Sequence, residues 1–304
     1  MVADAAYFVG QDHYRNSQWA EAADAFQIAA DKSNDLDLKE KSLYRLGWSF
    51  YKQQKYAEAE AAFKRQYVEV QQGGLLLDSM MMIGESRFKQ EQYETALRAY
   101  TKAREKIEAD NDSAKTVRDK AERQVRELIL LHGGQSAAQL GQYEDAIGWY
   151  DALRERFPAT TYLPQVFYEI GFAAQNAGDD EKALKFYSEV ADNFRSEIAA
   201  RARFMMGEIY FANKTFDKAI PEFQRVMFGF GADKADPVIK NWQAKSGFEA
   251  GRCAELLQQS AQTDAAKAKA AKFAKDFYQY VIDQHPGHEL ATKAKQRAEA
   301  LKAP

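Results

Sequence analysis

The 304 residues carry 42 basic and 45 acidic side chains, a formal charge of −3, with 46% hydrophobic residues, six prolines and one cysteine. The charges are mixed along the chain and no basic stripe tracks a phosphate backbone, so no nucleic-acid partner is expected. No apolar run approaches the ~20 residues of a membrane span, so direct membrane insertion is not expected either. Abundant alanine, rare proline and the near absence of β-branched runs predict an all-α chain.

In chain order, the opening "MVADAAYFVGQDHY" has neither a basic n-region nor a long apolar core and is not a signal peptide as it stands. It enters a helical pattern at once, which suggests a start cut from a longer chain. Seven glycines then recur: Gly10, Gly47, Gly84, Gly134, Gly171, Gly207 and Gly251, at steps of 37, 37, 50, 37, 36 and 44. Twelve residues after each of the first six stands an alanine: Ala22, Ala59, Ala96, Ala146, Ala183 and Ala219. Sixteen after stands an aromatic: Phe26, Phe63, Tyr100, Tyr150, Tyr187 and Phe223. The seventh unit keeps the alanine-to-aromatic spacing as Ala274 and Tyr278, after 11 extra residues.

This periodicity predicts seven pairs of antiparallel helices. The glycine lies in the first helix, where a side chain would hold the second helix away. The alanine is the matching small residue, and the aromatic one turn on fills the wedge toward the next pair. A further aromatic just before the second helix (Trp19, Tyr56, Tyr93, Tyr143, Phe216) staples the turn, and Asp180 replaces it in one unit.

Between the third and fourth units "TKAREKIEADNDSAKTVRDKAERQVRELILL" predicts two lengthened helices with a turn at Asn111–Ser113. The added part is charged all round and is expected to project into solvent, dividing the array into a three-unit and a four-unit lobe. The expected organisation is therefore repeats 1–3 over residues 4–109, an elongated helical insertion over 110–131, repeats 4–7 over 132–287 and a polar capping helix over 288–302. Pro221 is expected near the start of its helix, where its missing N–H costs little only in the first turn, and Asp264 is the expected cap of the last second helix.

The pattern resembles the tetratricopeptide repeat (TPR), through Leu46, Gly47, Tyr56, Ala59 and Phe63 in the second unit and Gly134, Gly141, Tyr143, Ala146, Tyr150 and Pro158 in the fourth. The resemblance spans about residues 4–286 and implies a right-handed superhelical solenoid whose first helices line a concave groove. The links "RERFPATTYLPQVFYEIG" and "IDQHPGHELATKAKQRAEAL" are similar to those of bacterial envelope TPR proteins of the Tol-Pal coordinator and outer-membrane barrel assembly lipoprotein type. That narrower likeness implies a periplasmic location if a signal segment has been removed, and a cytoplasmic one otherwise. The lysine and asparagine of a chaperone-tail carboxylate clamp are replaced here by Gln11, Trp48, Tyr44 and Met81.

No polar constellation has a catalytic spacing, so no enzyme activity and no cofactor are expected. The histidines His13, His132, His285 and His288 offer no third metal ligand. The glycine pairs lack a phosphate-loop context. Cys253 is read as a small core residue.

The surface left to carry function is one stripe of the first helices: three residues before the glycine, one after and four after. Its members include Tyr7, Tyr14, Tyr44, Trp48, Tyr51, Met81, Glu85 and Phe88, then Tyr168, Phe172, Phe204, Glu208, Phe211, Phe248 and Arg252. Arg15, Lys52 and Lys89 lie one residue further and could add a basic edge. So aromatic a stripe is expected to hold an extended or helical peptide of a partner protein. Three alternatives remain open at the level of sequence: packing between repeats, self-association into a structural array, and the interaction half of a larger protein whose catalytic or signalling segment is missing.

Overall fold

The computed structural model describes residues 1–109 and 120–301. Among these residues the chain is all helical, without strands, and divides into two compact units, the first ending at Thr160 and the second beginning at Thr161.

The first unit holds four helix pairs: α1 (Val2–Arg15) with α2 (Trp19–Lys32), α3 (Leu36–Lys52) with α4 (Tyr56–Glu69), α5 (Leu76–Lys89) with α6 (Tyr93–Ala109), and α7 (Lys120–Gln139) with α8 (Tyr143–Arg156). The second holds α9 (Leu163–Asn176) with α10 (Asp180–Asn193), α11 (Glu197–Ala212) with α12 (Phe216–Phe228), α13 (Pro237–Ser260) with α14 (Asp264–Gln284), and the final α15 (Leu290–Ala300). In both units each helix packs on the next in sequence.

The spacing of glycine and aromatic has a direct steric cause. A Cβ on Gly10, Gly47, Gly84 or Gly134 would stand 2.4–2.8 Å from the nearest ring atom of Phe26, Phe63, Tyr100 or Tyr150. The same holds for Gly171 on Tyr187, Gly207 on Phe223 and Gly251 on Tyr278. All seven rings are fully buried, as are the seven alanines. Each ring therefore packs directly against the backbone of its own first helix at the glycine. Phe26 also joins Leu43 and Leu46 of the next pair in one core cluster, so it fills the wedge as well.

Each turn between first and second helix contains one left-handed residue, always seven after the glycine: Ser17, Gln54, Glu91, Gly141, Gly178 and Lys214 in the first six pairs. The next N–H bonds back to the carbonyl five residues earlier, as in Gln18 to His13 and Lys55 to Phe50. These bonds satisfy carbonyls that the helix end would otherwise leave open. The stapling aromatics are the first residues of α2, α4, α6, α8 and α12.

Several expectations need correction or fall outside the described residues. The turn at Asn111–Ser113 lies outside the described residues. Most of the insertion expected to project lies there too; of its described part Lys120, Ala121, Glu122 and Gln124 are exposed, while Arg126 and Glu127 are buried, Arg126 paired with Glu122 at 2.6 Å and Glu127 with Arg123 at 2.9 Å, and the Arg123 head lies over the Phe157 ring at 5.7 Å. Packing of α7 on both α5 and α6 joins the third and fourth repeats, so the division into three-unit and four-unit lobes is not seen there. Pro221 is the sixth residue of α12 rather than a first-turn residue, and its ring is on the exposed face. Thr263, not Asp264, caps α14, its Oγ1 accepting from the Ala266 N–H at 3.2 Å.

Buried polar groups pin two of the joints. Glu40 Oε1 accepts from Gln66 Nε2 at 2.9 Å and from the Leu75 N–H at 2.8 Å, which fixes the entry to α5. Gly73 has no room for a side chain there, since its Cβ would fall 2.0 Å from the same oxygen. In the second unit Arg203 is buried between Glu222, at 3.0 Å, and Asp192, and also donates to the Ala191 carbonyl at 3.2 Å. Among the described residues α15 covers α14 with the fully buried Ala294, and its Arg297 meets Glu255 of α13 at 2.6 Å.

Candidate functional site

None of the fifteen stripe residues is fully exposed. Met81, Tyr168 and Phe248 are buried and the other twelve are half-buried. Their neighbours explain why.

The row three before the glycine leans on the wedge aromatic of its own repeat. Ring centroids are 5.6 Å apart for Tyr7–Phe26, 5.9 Å for Tyr44–Phe63, 5.5 Å for Tyr168–Tyr187, 5.4 Å for Phe204–Phe223 and 5.6 Å for Phe248–Tyr278. The row four after leans on the first residue of the second helix, at 4.9 Å for Tyr14–Trp19, 5.3 Å for Tyr51–Tyr56, 5.2 Å for Phe88–Tyr93 and 5.5 Å for Phe211–Phe216. Such tilted and edge-on pairs add about 0.5–1.5 kcal/mol each beyond burial. These two rows thus hold the helix pair together as well as facing the stripe. Burial pushes the hydroxyls of Tyr44 and Tyr168 up to about 12, with the Asp78 charge adding to the effect at Tyr44.

The row one after the glycine differs. Trp48 touches Tyr44 and Tyr51 edge-on, at 6.4 and 5.5 Å, with the Lys52 ammonium 5.7 Å from its ring. Neither Trp48 nor Phe172 stacks on a ring of a second helix among the described residues. Beside this row, Gln11, Tyr14, Arg15, Phe26 and Arg45 line a cavity of about 400 Å³ in the first unit.

Two carboxyls occupy the same row with opposite fates. Glu85 receives the Tyr51 hydroxyl at 2.9 Å and the Tyr100 hydroxyl at 3.3 Å, with His132 Nδ1 at 2.9 Å and Lys89 at 3.6 Å. Burial opposes its charge, but His132, Tyr51 and Lys89 outweigh it and hold the carboxyl at about 2. Glu85 is therefore an internal strut between four helices. Glu208 in the second unit has no such donors: its Oε1 is buried without a hydrogen bond among the described residues. Burial, then the nearby Glu249, raise it to about 7, against a pull from Arg252. Arg252 is itself paired with Glu249 at 2.8 Å and lies 4.7 Å over the Phe211 ring. Cys253 is buried beside these groups, and burial first, then Glu249 and Glu208, push its thiol up to about 12.

Arg15, Lys52 and Lys89, the residues of the expected basic edge, are all exposed, Lys52 beside Trp48 and Lys89 beside Glu85. A second set of cations went unnoticed in the sequence. Arg201 and Lys245 each stand six residues before a repeat glycine, on the same stripe, and both face Trp242. The signal was available, since six before is one turn N-terminal to the aromatic row. Among the described residues no group of three or more His, Cys, Asp or Glu could hold a metal ion, and no helix is long and apolar enough to cross a membrane.

Comparison with known proteins agrees with this architecture. Sequence models of the tetratricopeptide repeat match residues 9–73, 78–106 and 168–237, more than half of the chain. No curated protein matches it. Similar solved structures include the C-terminal part of a TPR repeat-containing protein from Cytophaga hutchinsonii, at 18% identity over 95% of this chain and 98% of that one, with a TM-score of 0.63. A tetratricopeptide repeat protein from Parabacteroides merdae follows at 13% identity, 98% and 99% coverage and a TM-score of 0.58. The apo form of RapI matches at 13% identity, 98% and 100% coverage and a TM-score of 0.57. At such identities the likeness is one of fold. The fourth and seventh pairs fall outside the matched sequence ranges, yet Gly134 on Tyr150 and Gly251 on Tyr278 repeat the contact seen in the others. The chain belongs to the tetratricopeptide repeat family.

Proposed function

We propose that this chain is a non-catalytic protein–protein interaction scaffold that holds an extended or helical segment of a partner protein along the first-helix stripe. The observation that supports it is the row after the glycine. Trp48 and Phe172 are large, half-buried aromatics that no second-helix ring engages, on helices whose packing is supplied by other faces. Aromatics of this kind are favoured contact residues at interfaces. The helices are ordered before binding, so the ordering cost falls on the ligand. Capture from native lysate on immobilised protein tests the reading. Trp48→Ala and Phe172→Ala are expected to keep helicity while losing a retained partner, and Phe172→Ala, which breaks no ring pair among the described residues, also to keep the melting temperature. Undiminished capture by both variants would refute it.

A second reading, self-association through the first repeat, has one observation in its favour. The positions five before, one before and two after the glycine are buried in every later first helix, for example Ser42, Leu46 and Ser49, or Val166, Ile170 and Ala173. Their counterparts in α1, Ala5, Val9 and Asp12, are exposed, and the adjoining Phe8 is 66% exposed. Mass by light scattering that rises with concentration, and that Val9→Asp returns to the monomer, is the expected result on this reading. A concentration-independent monomer would reject it.

A further inference from the structure

We propose that Arg201, Lys245 and the rings around them form a subsite for an acidic side chain of the bound peptide, next to an apolar one. This inference rests on the groove reading above and names the chemistry of its ligand in the second unit.

Three first helices contribute. Tyr168 comes from α9, Arg201 and Phe204 from α11, and Trp242 and Lys245 from α13. The Arg201 guanidinium lies 4.6 Å from the Tyr168 ring centroid and 5.8 Å from that of Trp242. The Lys245 ammonium lies 4.8 Å from the Trp242 centroid. Phe204 packs on Trp242 with centroids 5.3 Å apart, and the indole N–H donates to Glu197 at 2.8 Å. The indole is thus fixed on one edge and at one flank, and two cations are brought to it from neighbouring repeats.

The pairing of charges points to the ligand. Farther along the same first-helix surface, Arg252 meets Glu249 at 2.8 Å and Arg297 meets Glu255 at 2.6 Å. Among the described residues, Arg201 and Lys245 form no ion pair. Contact with a ring face holds a cation in position, but it leaves the N–H groups of a guanidinium edge free to donate. The one carboxylate at this indole, Glu197, forms an ion pair with neither cation among the described residues, so a ligand carboxylate that reaches Arg201 and Lys245 gains charge-assisted bonds no side chain supplies. An apolar or aromatic residue beside the ligand carboxylate would then rest on the half-buried faces of Phe204 and Trp242.

The test uses the full chain and three labelled peptides of one length, followed by fluorescence anisotropy at about 0.1 M salt, where charges this close remain only partly screened. One peptide carries Glu and Asp around a phenylalanine, one carries Gln and Asn in their place, and one carries Lys. The acidic peptide is expected to bind at least tenfold more tightly than the neutral one and to lose that advantage in Arg201→Gln/Lys245→Gln. In Arg201→Glu/Lys245→Glu the preference is expected to pass to the lysine peptide. Both variants alter surface-accessible cations, and far-ultraviolet circular dichroism confirms their folding. Equal binding of acidic and neutral peptides, or an acidic preference that survives both variants, overturns the proposal. If the neutral peptide binds as well as the acidic one and Phe172→Ala weakens both, the groove reading stands and only the acidic subsite falls. Binding of none of the three overturns the subsite, while the lysate capture by Trp48 and Phe172 variants judges the groove separately. A single-stranded oligonucleotide serves as competitor. If it displaces the acidic peptide at equal charge and loses binding in the same variants, the surface reads polyanions in general and the peptide assignment is overturned.

Discussion

Replacing Gly47 by alanine tests the contact that repeats through the whole fold. An alanine Cβ would stand 2.7 Å from Cε1 and Cζ of Phe63. Carbon atoms rest at about 3.5–4.0 Å, so the ring or the helix must yield by about 1 Å. Phe63 is fully buried and leans on Tyr44 at 5.9 Å, so it has little freedom to move. Overpacking of this kind costs about 1–3 kcal/mol, and a contact this close belongs in the upper half of that range. Alanine in place of a helical glycine returns about 1 kcal/mol. The net expected loss for Gly47→Ala is about 1–2 kcal/mol. Phe63→Ala alone is expected to cost about 3–5 kcal/mol. In the double variant the new methyl enters the space the ring has left, so the overpacking vanishes while the helical gain remains. Its expected cost is about 2–4 kcal/mol, well below the sum of the single changes, a coupling of roughly 2–3 kcal/mol. Repeat arrays need not unfold in one step. Hydrogen exchange of the α3 and α4 amides therefore reads the local free energy better than a global melt. Additivity within about 0.5 kcal/mol, or a Gly47→Ala protein stabilised by the full helical gain, would show that the ring does not need the glycine.

Other outcomes follow from single residues. Ser17, Gln54, Glu91 and Lys214 adopt left-handed turn conformations with φ between 57° and 60°, so glycine at each is expected to raise stability by about 0.5–1 kcal/mol. Gly178→Ala, at φ 85°, is expected to lower it by a similar amount, and an unchanged melting temperature in all five would contradict the turn geometry. Glu85 is held below its ordinary range at about 2, so its contribution is fully present above about pH 4.5 and is lost as pH falls toward 2. Glu85→Gln is therefore expected to remove roughly 2–3 kcal/mol of acid dependence from the first unit, read by hydrogen exchange at pH 3 and pH 6. Glu208 is raised to about 7, so the opposite holds: its folded form keeps the proton, and stability is lost as pH climbs from about 4.5 through 7. Glu208→Gln is expected to stabilise the second unit by about 1 kcal/mol at pH 8, after discounting for solvent, and to change nothing at pH 4.

The helix pairs were legible because their cause is local and steric. A glycine and an aromatic 16 residues apart meet through one turn of fixed length, and the contact tolerates no third partner. The 11 extra residues of the seventh unit are shared between the end of α13, which runs to Ser260, and the largely exposed start of α14, so Tyr278 still reaches Gly251. Thr263 and Asp264 are both good capping residues, and spacing alone does not rank neighbours one residue apart. Charge alone does not mark exposure in the described part of the insertion. Arg126 is buried because Glu122, one turn earlier, accepts its guanidinium. Glu85 and Glu208 are the same residue at the same register and read alike in sequence. Only the structure shows that Tyr51, Tyr100 and His132 converge on the first and that no donor reaches the Oε1 of the second.

The stripe divides by helical geometry into residues that build the repeat and residues left to face a ligand. At 3.6 residues per turn each step rotates by about 100°. Taking the row three before the glycine as zero, the row four after lies about 20° to one side and the glycine about 60° to that same side. The glycine faces the second helix, since its Cβ would strike that helix's aromatic ring. The rows three before and four after therefore lean toward the second helix, where the tyrosines and phenylalanines find their stacking partners. The rows one after and six before lie about 40° and 60° to the other side, roughly 100–120° away from the glycine. Trp48, Phe172, Arg201 and Lys245 all belong to these two rows. Replacing Tyr44, Trp48 and Tyr51 together would confuse the two roles, because Tyr44 and Tyr51 also bond Asp78 and Glu85 across the repeat boundary, at 3.3 and 2.9 Å. Glu85, also one after its glycine, is one of those acceptors and belongs with the residues that build the repeat; a change confined to Phe172, Arg201 or Lys245 removes neither bond, and a loss of binding there at unchanged melting temperature is not a loosened repeat.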